Sequence, residues 1–263
     1  MPAVNPFARV SAAVREDGWL HVVPRAVSFA YRRGVRPRLP LRAPARYAGL
    51  PVAVGDGRRV GDGVVPASWV DKLASDIPDY EAALMAGLRR HVRAGDRVVV
   101  VGGGVGVTAA SAALCAGPSG RVVCYEGSAE GVEVVRRTAA LNGVTDRPEV
   151  RHAVVARAIG VYGGSPFGAV MAPADLEPCD VLELDCEGAE VEILREMTIR
   201  PRAIVVETHG LYGASTEQVS AVLRERGYRP TLVGVAEPRF PEYCAQQDVY
   251  VLEAALGDGA PAA

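Results

Sequence analysis

Two short stretches hold the residues best suited to chemistry. Leu182-Glu183-Leu184-Asp185-Cys186-Glu187-Gly188-Ala189-Glu190 brings four carboxylates into nine residues, and Glu207-Thr208-His209 adds a fifth beside a histidine. Carboxylate and imidazole groups accept and return protons. A third stretch, Val98-Val99-Val100-Val101-Gly102-Gly103-Gly104-Val105-Gly106-Val107-Thr108, reads as a strand, a glycine-rich turn and the start of a helix. Glycines let the backbone turn sharply and let a ligand reach the main chain. The helix start beyond them offers unpaired N–H groups.

The glycine spacing separates three nucleotide chemistries. A P-loop requires a Lys after its last glycine, and none follows here. A dinucleotide turn of the G-x-G-x-x-G type needs a third glycine where Val107 stands; that glycine allows close helix–strand packing over a pyrophosphate, so NAD is demoted. The G-x-G-x-G turn of S-adenosylmethionine enzymes takes Gly102, Gly104 and Gly106 together. Glu126, 24 residues past Gly102 and ending Val123-Cys124-Tyr125-Glu126, is placed to accept ribose hydroxyls in either a dinucleotide or an S-adenosylmethionine site.

Positioning these groups requires alternating strands and helices. Helical spacing of apolar residues covers Tyr80 to Val92. Strands are expected at Arg97 to Val101, Arg121 to Tyr125, Glu149 to Val155, Val181 to Leu184 and Ala203 to Val206. Helices are expected at Val107 to Cys115, Ala129 to Leu141, Ala189 to Met197 and Thr216 to Arg226. Such alternation implies right-handed βαβ units and a parallel sheet covered on both faces. Two last β runs, Thr231 to Val235 and Asp248 to Leu252, are separated by what reads as a loop through Pro238 and Pro241, and are expected to pair antiparallel at an edge. Ligands of such sheets bind beyond the carboxyl ends of the strands, which puts Asp185 at the mouth beside the glycine turn. Glu187 and Glu190 read equally well as acids favoured by a helix N-terminus.

The order GGGVG, YEGS, LELDCEGAEVEIL, VVETHG resembles the FkbM family of S-adenosylmethionine-dependent methyltransferases from about Tyr80 to Leu252. The D-x-E-G-A-E element is its specific part. The resemblance implies a Rossmann-like α/β fold, the seven-stranded class I methyltransferase sheet, mostly parallel with an antiparallel last strand. With composition and patterning, the chain divides into a basic, Arg/Pro-rich extension (1–46), a small β-like lead-in (47–78), the methyltransferase domain (79–254) and a flexible tail (255–263). It also implies methyl transfer to a hydroxyl of a sugar, glycan or small natural product, S-adenosylmethionine being the cofactor. Gly102, Gly104 and Gly106 would line its methionine part, Glu126 would hold the ribose, Ala153 and Val154 would border the adenine, and Asp185 would lie near the sulfonium. In that arrangement His209 or Asp185 is the base that takes the acceptor's proton, with Glu207 orienting. Asp185, Glu187, Glu207 and His209 could also ligate one divalent cation, but their spacing is not diagnostic and no metal is assigned. Two positions depart from the family pattern. Val100 stands where an acid is usual, and Glu183 where many members have Lys, so Glu183 needs a partner; Arg202 and Arg97 are candidates. A module that binds the cofactor without turnover, or an NAD-dependent oxidoreductase, are the rival functions.

The acceptor would be contacted by residues 47–79, by Arg157 to Leu176 and by His209 to Ser215, with Tyr162, Phe167 and Tyr212 as ring contacts. Net charge is −2, which argues against a nucleic-acid partner. The total hides a split: residues 1–46 carry nine Arg and two acids, and the remainder is correspondingly acidic. The basic segment, with a short amphipathic helix at Ala26 to Arg33, leaves peripheral contact with an anionic membrane open. Five cysteines lacking CxxC spacing give no disulfide framework or zinc site. Without an apolar leader or a span of about 20 apolar residues, a cytoplasmic location is expected.

Overall fold

Five residues of nearly unbroken valine, Arg97–Val101, form the central strand of the domain, and all four valines are buried. A strand shielded on both faces needs such a run. The computed structural model describes residues 44–53, 76–157 and 168–257. Of these, 46–53 and 76–257 belong to one compact unit.

The elements follow in chain order. A two-residue ladder, β1 (Arg46–Tyr47) with β2 (Leu50–Pro51), precedes α1 (Ala82–His91). Then come β3 (Arg97–Val101), α2 (Val107–Ala116), β4 (Arg121–Glu126), α3 (Ala129–Leu141), β5 (Pro148–Val155) and β6 (Ala169–Met171). They are followed by β7 (Val181–Leu184), α4 (Glu190–Glu196), β8 (Ala203–Glu207), α5 (Thr216–Glu225), β9 (Tyr228–Val235), α6 (Pro241–Gln247) and β10 (Tyr250–Leu256). The main sheet runs β6-β5-β4-β3-β7-β8-β10-β9. It is parallel from β6 to β8, and β10 lies antiparallel to both β8 and β9. The expected seven strands are all present, and β6 adds an eighth at one edge.

Each face of the sheet has its own core. Val99, Val101, Leu182, Leu184, Ile204 and Val206 pack on one side with Ile193 and Leu194 of α4 and Leu223 of α5. Val98, Val100, Val122 and Val181 pack on the other with Leu88 of α1 and the alanines of α2. The alternation within each strand thus sends neighbouring valines into different cores.

One connection differs from expectation. The stretch through Pro238 and Pro241 contains α6, with Pro241 in its first turn and Glu242 beside it. Proline is a breaker inside a helix, but its fixed φ and missing N–H suit a helix start. Residues 54–75 of the expected β-like lead-in, the helix at Ala26 to Arg33, Tyr162, Phe167 and tail residues 258–263 lie outside the described residues. Among the described residues no helix is long and apolar enough to cross a membrane.

Candidate functional site

The glycine turn leaves β3 with three left-handed residues, Gly102 (φ 101), Gly104 (φ 49) and Gly106 (φ 82). They serve different ends. A Cβ on Gly102 would lie 1.7 Å from the carbonyl oxygen of Asp185, and one on Gly106 would lie 2.8 Å from the Cα of Val135 in α3. Both glycines bring backbones together. At Gly104 a Cβ would meet nothing within 4 Å, so the main chain there faces open space.

Glu126, at the end of β4, reaches this turn. Its Oε2 accepts from the N–H groups of Gly103 (3.0 Å) and Gly104 (3.2 Å), and its Oε1 from Ser128 N (2.8 Å) and Oγ (2.9 Å). Ser128 also caps α3 through Gly131 N. The chain itself thus occupies both oxygens of this carboxylate, which would have to release the Gly103 and Gly104 N–H groups to accept a ligand's vicinal hydroxyls. Ala153 and Val154, at the end of neighbouring β5, are partly buried, and Val154 lies 3.2 Å from the Cβ position of Gly127. The open main chain at Gly104, beside the Glu126 carboxylate, is where the sequence reading expects the ribose of S-adenosylmethionine.

The acidic cluster lies at the adjoining strand ends. His209 is 5 % exposed and its backbone is pinned by an exchange of hydrogen bonds with Ala214 (2.9 and 3.1 Å). Its Nδ1 is 2.7 Å from Glu190 Oε1. Its Nε2 faces Glu207 Oε1 (3.4 Å), Asp185 Oδ1 (3.5 Å) and Glu187 Oε2 (3.7 Å). Glu190, the first residue of α4, is fully buried; the same Oε1 accepts from the N–H of Gly188 (3.1 Å) and Cys186 (3.3 Å). One carboxylate therefore holds the D-C-E-G loop and fixes the imidazole, so Glu190, not Glu207, is the group that orients His209 at Nδ1. Within that loop Glu187 (φ 59) and Gly188 (φ 109) are both left-handed. A non-glycine residue held so costs about 1–2 kcal/mol, and such strain concentrates at functional sites.

The electrostatics follow from burial and crowding. Burial alone would lower the His209 pKa, but its hydrogen bonds to Glu190 and Glu207 and the nearby charge of Asp185 push it up to about 11. Burial would raise Glu190, yet its bond to His209 holds it below the ordinary carboxylate value. Asp185 is raised well above its usual value, by desolvation first and by the charge of Glu207 second. Glu207 is raised by burial, and Glu81, at the start of α1, is pushed up to about 8 by burial and by Glu207.

Glu183 lies beneath this cluster and is fully buried, and neither of its oxygens has a hydrogen-bond partner among the described residues. Arg202 pairs instead with Asp96 (2.7 Å) and Arg97 with Asp180 (3.8 Å), so neither serves Glu183. The register explains the vacancy: Val100 and Glu183 are direct partners across β3 and β7. The two departures from the family pattern therefore sit side by side. Desolvation raises the Glu183 pKa well above its usual value. The folded chain then keeps a proton that the unfolded chain releases above the ordinary carboxylate pKa, so stability from this group falls as pH rises through that value. Glu183→Met should stabilise the protein by about 1–3 kcal/mol at pH 8, the usual cost of an unbonded buried polar group. Urea unfolding at pH 5 and pH 8 checks this, and the gain should shrink at the lower pH.

A cleft of about 270 Å³ opens beside Glu207 and His209, walled by Leu211, Tyr212, Phe240 and Tyr243. Tyr212 was expected there. Tyr243 comes from α6 and Phe240 from the residue just before it, a helix start that the prolines conceal in the sequence. An aromatic wall over an acidic floor can hold a hydroxylated ring while a carboxylate takes its proton.

The chain matches the family model described as Methyltransferase FkbM domain over residues 9–230. No curated protein matches it. Among solved structures it is similar to a precorrin-6y C5,15-methyltransferase from Geobacter metallireducens GS-15, at 15 % identity over 69 % of this chain and 89 % of that one (TM-score 0.47). It is similar also to a SAM-dependent O-methyltransferase from Thermotoga maritima, at 18 % identity over 71 % and 68 % (TM-score 0.46). A third is the O-methyltransferase TomG from Streptomyces achromogenes in complex with SAM, at 18 % identity over 69 % and 81 % (TM-score 0.43).

Proposed function

The chain belongs to the FkbM family of S-adenosylmethionine-dependent methyltransferases, and on that footing we propose that it methylates a hydroxyl oxygen of a sugar, glycan or small natural product. The observation that carries the proposal is the contact between Gly102 and Asp185. The backbone of the glycine turn touches the carbonyl of Asp185, so the cofactor wall and the proton-accepting cluster are one surface. Bound S-adenosylmethionine supplies a methyl group already activated on a sulfonium.

The protein's share is alignment and proton removal. Holding two reactants in line contributes several kcal/mol of the barrier by itself, roughly 7–11 at best. Asp185 is the base. Its side chain is 26 % exposed at the mouth, and its raised pKa makes it a stronger proton acceptor than an ordinary carboxylate. His209, charged at neutral pH and locked by Glu190, stabilises the ionised cluster and fixes its geometry. Tyr212, Phe240 and Tyr243 hold the acceptor ring.

The test is transfer of a labelled methyl group from S-adenosylmethionine to components of a cell extract, with Asp185→Asn as control and S-adenosylhomocysteine affinity measured by calorimetry. Labelled product with the parent chain and none with the variant supports the proposal. Tight S-adenosylhomocysteine binding without labelled product would instead indicate a binding module that lacks turnover, and binding of NADH in its place an oxidoreductase.

A further inference from the structure

We infer that Arg157 is a positioning residue of the cofactor slot, a clasp that ties the end of β5 to the D-C-E-G loop and slows cofactor release. The inference rests on the S-adenosylmethionine site of the proposed function. Arg157 Nη2 donates to the carbonyl of Gly188 (2.9 Å), and its Nε lies 3.5 Å from Glu192 Oε2 in α4. Arg157 stands two residues past β5, and Gly188 lies in the loop after β7. The sheet order places β4 and β3 between those two strands. Neighbouring strands are about 4.8 Å apart, so β5 and β7 stand about 14 Å from each other. The contact therefore bridges the ends of β4 and β3, which lead into Glu126 and the glycine turn.

The clasp and the glycine turn border the slot from opposite sides. The turn leads into α2, whose alanines pack on the face of Val98 and Val100. Val155 and Ala156, just before Arg157, pack on the other face with Ala189 and Val191. A ligand lying along the strand ends has Gly102 and Gly104 on one flank and the Arg157–Gly188 contact on the other.

Both anchors of the clasp stand on constrained backbone. Ala156 is left-handed (φ 68) and its N–H bonds to Met171 O (3.0 Å), which fixes the turn that sends Arg157 back over the strands. A non-glycine residue in that conformation is uncommon and persists where its surroundings enforce it. Gly188 is gripped on both sides. Its N–H donates to Glu190 Oε1 (3.1 Å), and its carbonyl accepts from Arg157. A Cβ on Gly188 would lie 2.5 Å from the Cβ of Tyr212, so the same residue abuts the cleft wall. Arg157 is thus joined through Gly188 to Glu190, and through Glu190 to His209 (2.7 Å). The Arg157 side chain is 52 % exposed, so it can leave Gly188 without unpacking the core. Its planar guanidinium offers separate N–H groups to the carbonyl and to Glu192, a fork that a lysine ammonium lacks.

The experiment measures association and dissociation of S-adenosylhomocysteine on the full, immobilised chain by surface plasmon resonance. Arg157→Met should speed dissociation at least about tenfold, the scale of one charge-assisted hydrogen bond, with association changed less than about threefold. Arg157→Lys should recover part of the loss. Glu192→Gln should change dissociation less than about threefold, since exposed ion pairs contribute little. Thermal unfolding without ligand reads a merely structural role, and the Arg157→Met midpoint should stay within about 4 °C of the parent. If Arg157→Met does not fold, Arg157→Lys carries the test, with dissociation at least about threefold faster than the parent. Release from the folded Met variant within threefold of the parent overturns the clasp, whatever its midpoint. The two claims separate on the parent. If it does not bind S-adenosylhomocysteine, the cofactor site and the clasp both fall; if it binds and the variant releases no faster, the clasp alone falls.

Discussion

Asp185→Asn should lower the rate of methyl transfer by about 10²–10⁴-fold, the usual contribution of a positioned general base, while S-adenosylhomocysteine affinity changes by less than about threefold. Asparagine keeps the shape of the side chain and the backbone contact with Gly102, but it cannot take a proton. The raised Asp185 pKa sets the sign of the pH dependence. The base works only when ionised, so kcat/KM of the parent should climb with pH well past the ordinary carboxylate range, and the variant should lose that limb. His209 gives the opposite profile. Its pKa of about 11 keeps it charged through the neutral range, so a base role for it would delay the rise to strongly alkaline pH. A rate for Asp185→Asn within tenfold of the parent would remove Asp185 from the role.

Gly102→Ala is expected to cost more than about 4 kcal/mol, among the larger effects of single substitutions. The new Cβ would sit 1.7 Å from the Asp185 carbonyl oxygen and 2.7 Å from its carbon, on a backbone with φ 101. That carbonyl is main chain and follows the end of β7, so it cannot swing aside. At about 2–4 °C per kcal/mol for a domain of this size, the midpoint should drop by roughly 8–16 °C or the chain should fail to fold. Gly104→Ala is the contrasting case. Its φ of 49 is left-handed but its surroundings are empty, so only the conformational cost of about 1–2 kcal/mol applies. That variant should fold and still bind S-adenosylhomocysteine at least tenfold more weakly, because the methyl fills the space the ligand needs. Equal thermal shifts for the two alanines would refute the division of labour between these glycines.

What the sequence disclosed depended on the range of the interaction. The valine run of β3, the glycine turn and the strand-end acids are local patterns, and each stands where its spacing placed it. The parallel strands and their crossover helices follow from alternation alone, apart from β6, whose three residues Ala169–Met171 are too few to show a period. Glu190 could not be separated from an ordinary helix-start acid, because its contact with His209 spans 19 residues and forms only when β7 and β8 lie side by side. The pairing of Val100 with Glu183 is likewise invisible until register is known. Phe240 and Tyr243 were hidden by prolines that look like breakers and act as a helix start.

The position of β10 has a consequence for how the domain is made. β8, which carries Glu207, is flanked by β7 on one side and by β10 on the other, and Thr208 N bonds to Tyr250 O (2.7 Å). The strand that completes the floor of the cleft is therefore the last of the sheet to be synthesised. A ribosome adding about 5–20 residues per second needs several seconds to travel from β8 to the end of β10. Through that interval β8 has an open edge, and Glu207 and His209 lack their outer support. A nascent chain can hold a finished glycine turn while its proton-accepting half is still unbuilt, so cofactor capture can precede catalytic competence during biosynthesis.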